Sequence, residues 1–427
     1  MNQSIKTAAS NVLICAGIIL PPAFLFAMAT KYMPNIPFLD DYDVILHFIL
    51  KYQNADSFWT SLSLFFEQHN EHRIAFGKLI TLLVYHIWGQ LDLRLLTFLG
   101  NLGLIGCLLV LYKMISIEQR DKFLYFVPVS LLLFQFQYVE TILWAMAALS
   151  NIFVLFFALL SLHMLNTEGR LNFLVAFLLA VLASFTQGMG IFTFAAAALL
   201  LVVKKNVRRF VVWLFLSGMV LGLYFVNYQK PPENPGITIF VAPLSTFKYF
   251  VTFLGSSFPF PFFAGLFFIA FFLFMTWKGY FKKNSAVYCG LVLIFLAAAA
   301  AALTRSNLGV EQAISSRYRI VSVLMPIFTY IFLVENYQDR NFKRFIFPVA
   351  LIGSLVFNIL SSSFNYNYFR SHNVKLRAAM MKWNMGIKSL YYHDKEGVIA
   401  YLLKQWKKAY TSRTSGDFTF RVPSPLA

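Results

Sequence analysis

The chain has 427 residues, of which 59% are hydrophobic and 13% are charged. Soluble domains have about 45–50% apolar and about 25% charged residues, so this composition excludes a soluble fold. The net charge of +18 would favour nucleic acid as the partner of a soluble protein. Here the basic residues form separate short clusters, as expected for cytoplasmic loops of a membrane protein, and no nucleic-acid partner is predicted.

Apolar windows of about 17–22 residues predict an all-α polytopic membrane protein with about eleven transmembrane helices. The first span is predicted at 11–30 and is followed by a polar loop at 31–91. Within that loop, the apolar segments 44–52, 58–66 and 74–88 are predicted to be short or interfacial helices that lie along the membrane surface. The other spans are predicted at about 94–115, 123–137, 145–165, 171–185, 191–203, 210–227, 261–277, 286–303, 320–335 and 345–362.

Loop charges predict the orientation of these spans. Every loop assigned to the cytoplasm is basic, whereas the loops on the other side carry most of the acidic residues, so the N-terminus is predicted to be cytoplasmic. The bundle is predicted to cover 1–363, and a basic tail at 364–427 is predicted to lie outside the cytoplasm. This tail could form a helix on anionic lipid, or it could contact a charged glycan.

The most acidic part of the chain is the first polar loop, which contains Asp40, Asp41 and Asp43. Carboxylates beside a bilayer are costly unless they are used, so these three residues are the candidate catalytic residues. Residues 40 and 43 share a face in a helical turn. One carboxylate could take a proton from an attacking hydroxyl while the other orients it or helps to hold a divalent cation, Mg²⁺ or Mn²⁺. The simpler interpretation is that Asp40 or Asp41 caps the helix predicted from Val44.

A second polar motif, His69-Asn70-Glu71-His72-Arg73, ends the same loop. Imidazole together with a carboxylate can ligate a transition metal, but the motif lacks the two helical turns of the zinc-protease pattern. The favoured interpretation is a hydrogen-bonding network that fixes the neighbouring carboxylates, with Arg73 paired to an aspartate. A polar acceptor sugar would use the same donors and acceptors, so the five residues are candidate substrate-binding residues.

Further candidate substrate-binding residues lie at predicted outer membrane boundaries: Glu140, Gln187, Arg317 and Tyr318. A guanidinium at the headgroup level can hold a lipid phosphate in a bidentate fork, although Arg and Tyr also act as ordinary interfacial anchors. Gln187 is followed by glycines that would let a ligand approach the backbone, and a plain turn explains them equally well.

Together these features fit one reaction. A glycosyl donor that is attached to a membrane lipid by phosphate presents its sugar at the outer interface. The acidic cluster activates an acceptor hydroxyl, and the arginines stabilise the departing lipid phosphate.

The order of these features resembles the GT-C glycosyltransferase superfamily, whose members use polyprenyl-phosphate sugars. The resemblance covers about residues 10–365, and its specific motifs are Asp40-x-Tyr42-Asp43, His69-Asn70-Glu71-His72-Arg73 and Ser316-Arg317-Tyr318. Size and span number are similar to those of the serotype-converting O-antigen glucosyltransferases of enteric bacteria. The resemblance implies transfer of glucose, or a related sugar, from undecaprenyl phosphate to a lipid-linked glycan at the periplasmic face of a bacterial inner membrane, with Asp40 or Asp43 as the base. In that membrane the outer side is the periplasm, so the topology predicted from the spans would make the tail periplasmic. Better-known members carry a large soluble C-terminal domain, whereas only the basic tail is predicted after the bundle within these 427 residues.

Other classes of function predict different features. A flippase or another transporter of lipid-linked oligosaccharides would place charges inside the spans and often contains internal repeats. An O-antigen polymerase would favour a large basic outer loop late in the chain, whereas the second long outer loop has only Lys230 and Lys248. A membrane acyltransferase would use a His–Asp pair, and His69 or His72 with Asp40 keeps that class open.

Overall fold

The computed structural model describes residues 3–230, 238–337 and 340–384. Within these ranges, regular structure is helical apart from one pair of two-residue strands. The prediction of an all-α membrane protein is confirmed. Residues 385–427, which form most of the predicted basic tail, lie outside the described residues.

The first polar loop is not plain coil but folds into short helices around a small hairpin. The hydroxyl of Ser57 accepts a hydrogen bond from the N–H of Thr60 at 3.1 Å and so begins the helix that follows. Asn70 takes φ +49° in the turn between the two strands, a conformation that asparagine tolerates well. The elements in chain order are α1 (Gln3–Tyr32), a π-helical segment (Tyr42–His47), α2 (Phe48–Gln53), α3 (Phe58–Phe65), β1 (Gln68–His69), β2 (His72–Arg73) and α4 (Ala75–Trp88).

The rest of the chain is a helical bundle. Asp92 begins α5, because its side chain accepts hydrogen bonds from the N–H groups of Arg94 and Leu95. The next elements are α5 (Leu93–Met114), α6 (Gln119–Leu133), α7 (Val139–Leu143), α8 (Ala145–Ala147), a π-helical segment (Ala148–Ile152), α9 (Phe153–Asn166), α10 (Arg170–Ser184), a 3₁₀ turn (Gly188–Ile191), α11 (Phe192–Val203) and α12 (Val207–Phe225). The last are a 3₁₀ turn (Thr238–Phe240), α13 (Pro243–Leu254), α14 (Pro261–Trp277), α15 (Tyr280–Lys283), α16 (Ser285–Arg305), two 3₁₀ turns (Ser306–Leu308 and Val310–Ile314), α17 (Ser316–Ser322), α18 (Leu324–Asn336) and α19 (Arg340–Asn384).

Among the described residues, 7 helices are long and apolar enough to cross a membrane. The expected number of about eleven is therefore not confirmed. The other four predicted spans correspond to α6, α10, α11 and α14, which have 12 to 17 residues. The candidate spans are Asn11–Tyr32, Leu93–Met114, Ala145–Asn166, Val207–Phe225, Ser285–Leu308, Ser316–Asn336 and Phe345–Met381.

Helix α19 connects the end of the bundle with the first polar loop. It continues past residue 363 without a break, and its last turns pack over the loop. Leu376 and Met380 belong to the same buried cluster as Tyr42 of the π-helical segment. The side-chain amide of Asn373 donates to the carbonyl of Tyr32 at 2.6 Å. The first part of the predicted tail thus lies at the same end of the bundle as the acidic loop, called the first-loop end below, and the opposite end is called the far end.

Candidate active-site cavity

A cavity of about 350 Å³ lies at the first-loop end, between the β1–β2 hairpin and the bundle. Its lining comes from segments that are far apart in the chain: the first loop, the turn after α10, the end of α16 and the beginning of α17. The predicted site residues that line it are Asp40, His69, Asn70, Glu71, His72, Gln187, Arg317 and Tyr318.

Asp40 is the carboxylate from the acidic cluster that borders this cavity. One of its carboxylate oxygens lies 3.6 Å from Nε2 of His69, and 27% of its side chain is exposed. Asn70 continues this chain of polar groups, because its amide nitrogen lies 3.2 Å from the same His69 nitrogen. Asp40 is therefore accessible to a hydroxyl that enters the cavity, and it lies close to His69.

The hairpin places His72 directly opposite His69. The backbone N–H of Gly188 donates to Nδ1 of His72 at 3.2 Å, so the neutral ring carries its proton on Nε2. Burial, together with the nearby charge of Arg305, lowers the pKa of His72 to about 4. At neutral pH His72 is therefore uncharged, and it presents an N–H donor 4.0 Å from a carboxylate oxygen of Glu71.

Glu71 is the second carboxylate in the cavity, and it is paired. Nη2 of Arg305 lies 2.9 Å from Glu71, and Nη1 of the same guanidinium donates to the hydroxyl of Tyr318 at 3.0 Å. Burial alone would raise the pKa of Glu71, but the charges of Arg305 and its neighbours outweigh burial and hold that pKa below its ordinary value. Glu71 is thus ionised at neutral pH, and Arg305 is held in a fixed position.

Arg317 borders the cavity as a second guanidinium. It lies over the ring of Tyr318, 5.4 Å from the ring centre. Among the described residues, no hydrogen bond or ion pair engages its nitrogen atoms. All of its side-chain donors therefore stay available for an anion, whereas Arg305 already uses donors of Nη1 and Nη2 on Tyr318 and Glu71.

Asp41 and Asp43 do not line the cavity. Asp41 is buried, and its carboxylate accepts hydrogen bonds from the N–H groups of Phe38 at 3.0 Å and Met146 at 2.9 Å. The alternative in which Asp41 caps the following helix is not observed, because its side chain accepts no hydrogen bond from that helix. It instead ties the first loop to α8, and burial raises its pKa to about 7.

The expected pairing of Arg73 with an aspartate is also wrong. Arg73 is buried, and its guanidinium donates to the carbonyls of Phe66, Tyr224 and Val226, at 2.6 Å for each of the last two. Backbone carbonyls thus occupy its side-chain donors. Its observed contacts fix the hairpin to the end of α12.

Glu140 and Gln187 also make contacts within the protein. Glu140 lies outside the cavity lining and accepts a hydrogen bond from the hydroxyl of Tyr368 at 2.8 Å, which links α7 to α19. Gln187 lines the cavity, but its side-chain oxygen accepts from the N–H of Met189 at 2.8 Å. That bond stabilises the 3₁₀ turn that presents Gly188 to His72.

Sequence reasoning did not identify Arg305, the guanidinium that holds Glu71. It also did not identify the apolar wall that α16 contributes through Ala297, Ala300 and Ala301. The position of Arg305, as the first charge after a long apolar run, was the available signal, because such a residue lies where a span leaves the membrane.

Within the described residues, no three His, Cys, Asp or Glu side chains come together in a way that could hold a metal ion.

No protein-family model, curated protein or solved structure matches this chain. The resemblance to GT-C enzymes accordingly remains a prediction from short motifs.

Proposed function

We propose that this protein is a membrane glycosyltransferase that transfers a sugar, glucose by the resemblance, from undecaprenyl phosphate to a lipid-linked O-antigen or another cell-surface glycan. The observation that carries this proposal is the grouping of an accessible carboxylate, Asp40, and an unpaired guanidinium, Arg317, around one cavity. A base and an anion-binding cation on the same side of the membrane are what such a transfer requires.

The two guanidiniums have different roles in this proposal. Glu71 already pairs with Arg305, so Arg305 is a preoriented donor whose charge is partly compensated. Arg317 has free donors and can bind the phosphate of the lipid-linked sugar in a bidentate fork. The small side chains Ala297, Ala300 and Ala301 of α16 form the wall along which the lipid chain would lie.

In the proposed step, Asp40 takes the proton of the acceptor hydroxyl. The hydroxyl oxygen forms a bond to the anomeric carbon of the donor sugar while the bond from that carbon to the phosphate oxygen breaks. The electron pair leaves with the lipid phosphate, whose developing charge the guanidiniums of Arg317 and Arg305 stabilise. His72, neutral because of its lowered pKa, donates its Nε2 hydrogen to a sugar oxygen.

The proposal includes the predicted topology of about eleven spans in a bacterial inner membrane, with the N-terminus in the cytoplasm and the cavity and tail in the periplasm. Helix α14, with 17 residues, reaches the lower limit of about 17 residues for a span. Exposed aromatic side chains support an interfacial position of α3 and α4, since Phe58, Trp59 and Trp88 suit the headgroup region. Membrane lipids are thus proposed to surround the spans and to contact the interfacial helices.

The test is mass spectrometry of surface glycans from cells that express wild type, Asp40→Asn or Asp43→Asn at matched levels. Asp43→Asn is the control, because Asp43 belongs to the same cluster but does not line the cavity. We expect a hexose-sized addition with wild type and Asp43→Asn. In Asp40→Asn the transfer rate should fall about 10²–10⁴-fold, as is typical when a general base is removed.

Two outcomes would contradict the proposal. Glycans that are identical with and without the protein would favour a flippase or another transporter of lipid-linked oligosaccharides. Longer glycan chains without a new side group would favour an O-antigen polymerase. Loss of the added hexose in Asp43→Asn alone would keep the transferase and move the base to Asp43.

A further inference from the structure

A second and larger cavity, of about 1130 Å³, lies on the other side of the β1–β2 hairpin. We call it the outer groove. Asn70, at the tip of the hairpin, lines both the outer groove and the active-site cavity. The hairpin is therefore a thin partition between the two spaces. The groove is lined by Ser63, Leu64, Phe66, Glu67, Gln68, Asn70, Arg73, Val181, Phe185, Val220, Leu223, Val226, Asn227, Gln229 and Lys230.

The polar wall of the outer groove is rich in carboxamides. Gln68 uses its amide to fix the partition, because it donates to the carbonyls of Asn70 and Gln229 and accepts from the N–H of Gln229. The side-chain amides of Asn227 and Gln229 make no hydrogen bond within the described part of the chain. A carboxamide offers donors and acceptors without net charge, which suits the hydroxyl groups of a neutral sugar.

The charged groups of the groove are mostly occupied. Glu67 pairs with Lys51 at 2.7 Å, and the guanidinium of Arg73 donates hydrogen bonds to backbone carbonyls. Lys230 remains as an exposed cation at the rim, with no ion pair among the described residues. This wall therefore fits a neutral glycan with one nearby phosphate, and it differs from the active-site cavity, where Arg317 offers free guanidinium donors.

The opposite wall of the groove is apolar and comes from the candidate span α12 and the shorter apolar helix α10. Val220 and Leu223 of α12 and Val181 of α10 line it, and 68% of Leu223 is exposed. An apolar wall on membrane helices next to a neutral polar wall is complementary to an amphiphile whose head carries hydroxyls. A free, soluble glycan would leave the apolar wall unused.

We propose that the outer groove binds the acceptor as a lipid-linked glycan, with its sugars on Asn227 and Gln229 and its lipid chain on α10 and α12. The acceptor role rests on the proposed function, whereas binding itself does not. A sugar at Asn70 lies near the base, because the amide of Asn70 is 3.2 Å from Nε2 of His69 and the same nitrogen is 3.6 Å from Asp40. The partition thus lets donor and acceptor approach from opposite sides.

Photocrosslinking tests the location. The crosslinker benzoylphenylalanine replaces Leu223 in the full-length protein in lipid nanodiscs, and Leu214 is the matched control. Leu214 is exposed on the same helix, but at 100° per residue it faces the opposite side. The probe is a radiolabelled polyprenyl-diphosphate-linked trisaccharide. We expect several-fold stronger labelling from position 223, competed by the unlabelled trisaccharide lipid and much more weakly by polyprenyl diphosphate without sugar.

Substitution of the carboxamides tests the sugar contact. Asn227→Gly keeps the φ of +54° at this position, and together with Gln229→Leu it removes both free amides. Labelling at position 223 should fall about tenfold, and the acceptor KM should rise while the donor KM stays constant. Gln119→Leu, exposed at the far end, is the control and should change neither.

Equal labelling from positions 223 and 214, or equal competition by the sugar-free lipid, would overturn the groove proposal. The proposed function fails separately. Labelling at position 223 should persist in Asp40→Asn, because the groove does not include Asp40. If wild type is labelled specifically but transfers no sugar, the groove proposal is supported and the proposed transferase function is rejected. Transfer without specific labelling would do the reverse.

Discussion

The candidate span Ser316–Asn336, which comprises α17 and α18, has a buried or partly buried carboxylate cluster near each end. The two clusters are built differently. Arg317 at one end and Glu335 at the other are separated by about 27 Å of helix. At the far end, Glu335 is fully buried. It accepts hydrogen bonds from the N–H of Ser116 at 2.7 Å, the hydroxyl of Tyr280 at 2.6 Å and the amide of Asn284 at 2.9 Å.

At the first-loop end, the polar groups are only partly satisfied. Glu71 and Arg305 hold each other, but Asp40 and Arg317 border an open space of about 350 Å³. A buried carboxylate in this protein can therefore serve to join helices, because the oxygens of Glu335 accept hydrogen bonds within the protein. The candidate site differs, because Arg317 keeps free donors beside an open space.

The largest effect that separates the two clusters is expected from Glu335→Ala. This change removes the common acceptor of Tyr280, Asn284 and Ser116 and should lower the free energy of unfolding by about 3–5 kcal/mol. Glu335→Gln keeps one acceptor oxygen and should cost less. Thermal unfolding in detergent measures both. Transfer per folded molecule should stay unchanged, and a parallel loss of transfer would show that the far end takes part in function.

Arg317→Ala should reduce the transfer rate and leave stability nearly unchanged, the opposite of Glu335→Ala. Arg317 makes a ring contact with Tyr318 but no hydrogen bond or ion pair within the described residues, so stability should change by less than about 1 kcal/mol. The transfer rate should fall about 10²–10³-fold, which is typical for loss of one charge-stabilising group. Arg317→Lys keeps the charge without the fork and should restore part of the rate. Reduced stability with normal transfer would make Arg317 a structural residue.

The pH dependence of stability is expected to report the neutral His72. Its folded pKa of about 4 lies below the ordinary value of 6.5, so the unfolded chain binds the proton first as pH falls. Stability should therefore decrease between about pH 6.5 and 4, by up to about 3 kcal/mol, and show no His72 contribution above this window. The difference in Tm between wild type and His72→Asn, measured across this pH range, separates the contribution of His72 from that of Asp41, because both proteins contain Asp41. A constant difference would mean that His72 titrates normally.

Most of the helices could be predicted from the sequence, because a long apolar run indicates a membrane helix whichever other helices pack against it. Their lengths were harder to predict. The predicted span at 123–137 ends as a helix at Leu133. Lys78 lies in the segment 74–88, which is predicted to be interfacial, yet its side chain is buried. It donates to the carbonyls of Leu64 and Glu67, and burial lowers its pKa to about 8.

The site could be predicted as a set of motifs but not as a geometry. Polar residues at outer loops indicated which segments to consider, and most of them line one cavity. The bond between Arg305 and Glu71 joins residues 234 positions apart, and it depends on how α16 packs beside the hairpin. The same holds for Asp41, since its partner Met146 is known only once α8 is placed. Spacing along the chain carries no information about such contacts.

The smallest effect, and the sharpest test of how the cavity is shaped, is expected from Gly188→Ala. A Cβ at this position would lie 2.5 Å from Nδ1 of His72, so the imidazole must move away from the N–H that fixes its tautomer. We expect a loss of about 1–3 kcal/mol in stability, as for overpacking, together with reduced transfer. Gly222→Ala is the matched control, because a Cβ there meets nothing within 4 Å and alanine favours a helix. If both variants retain full activity, the proposed transfer does not need a fixed orientation of His72.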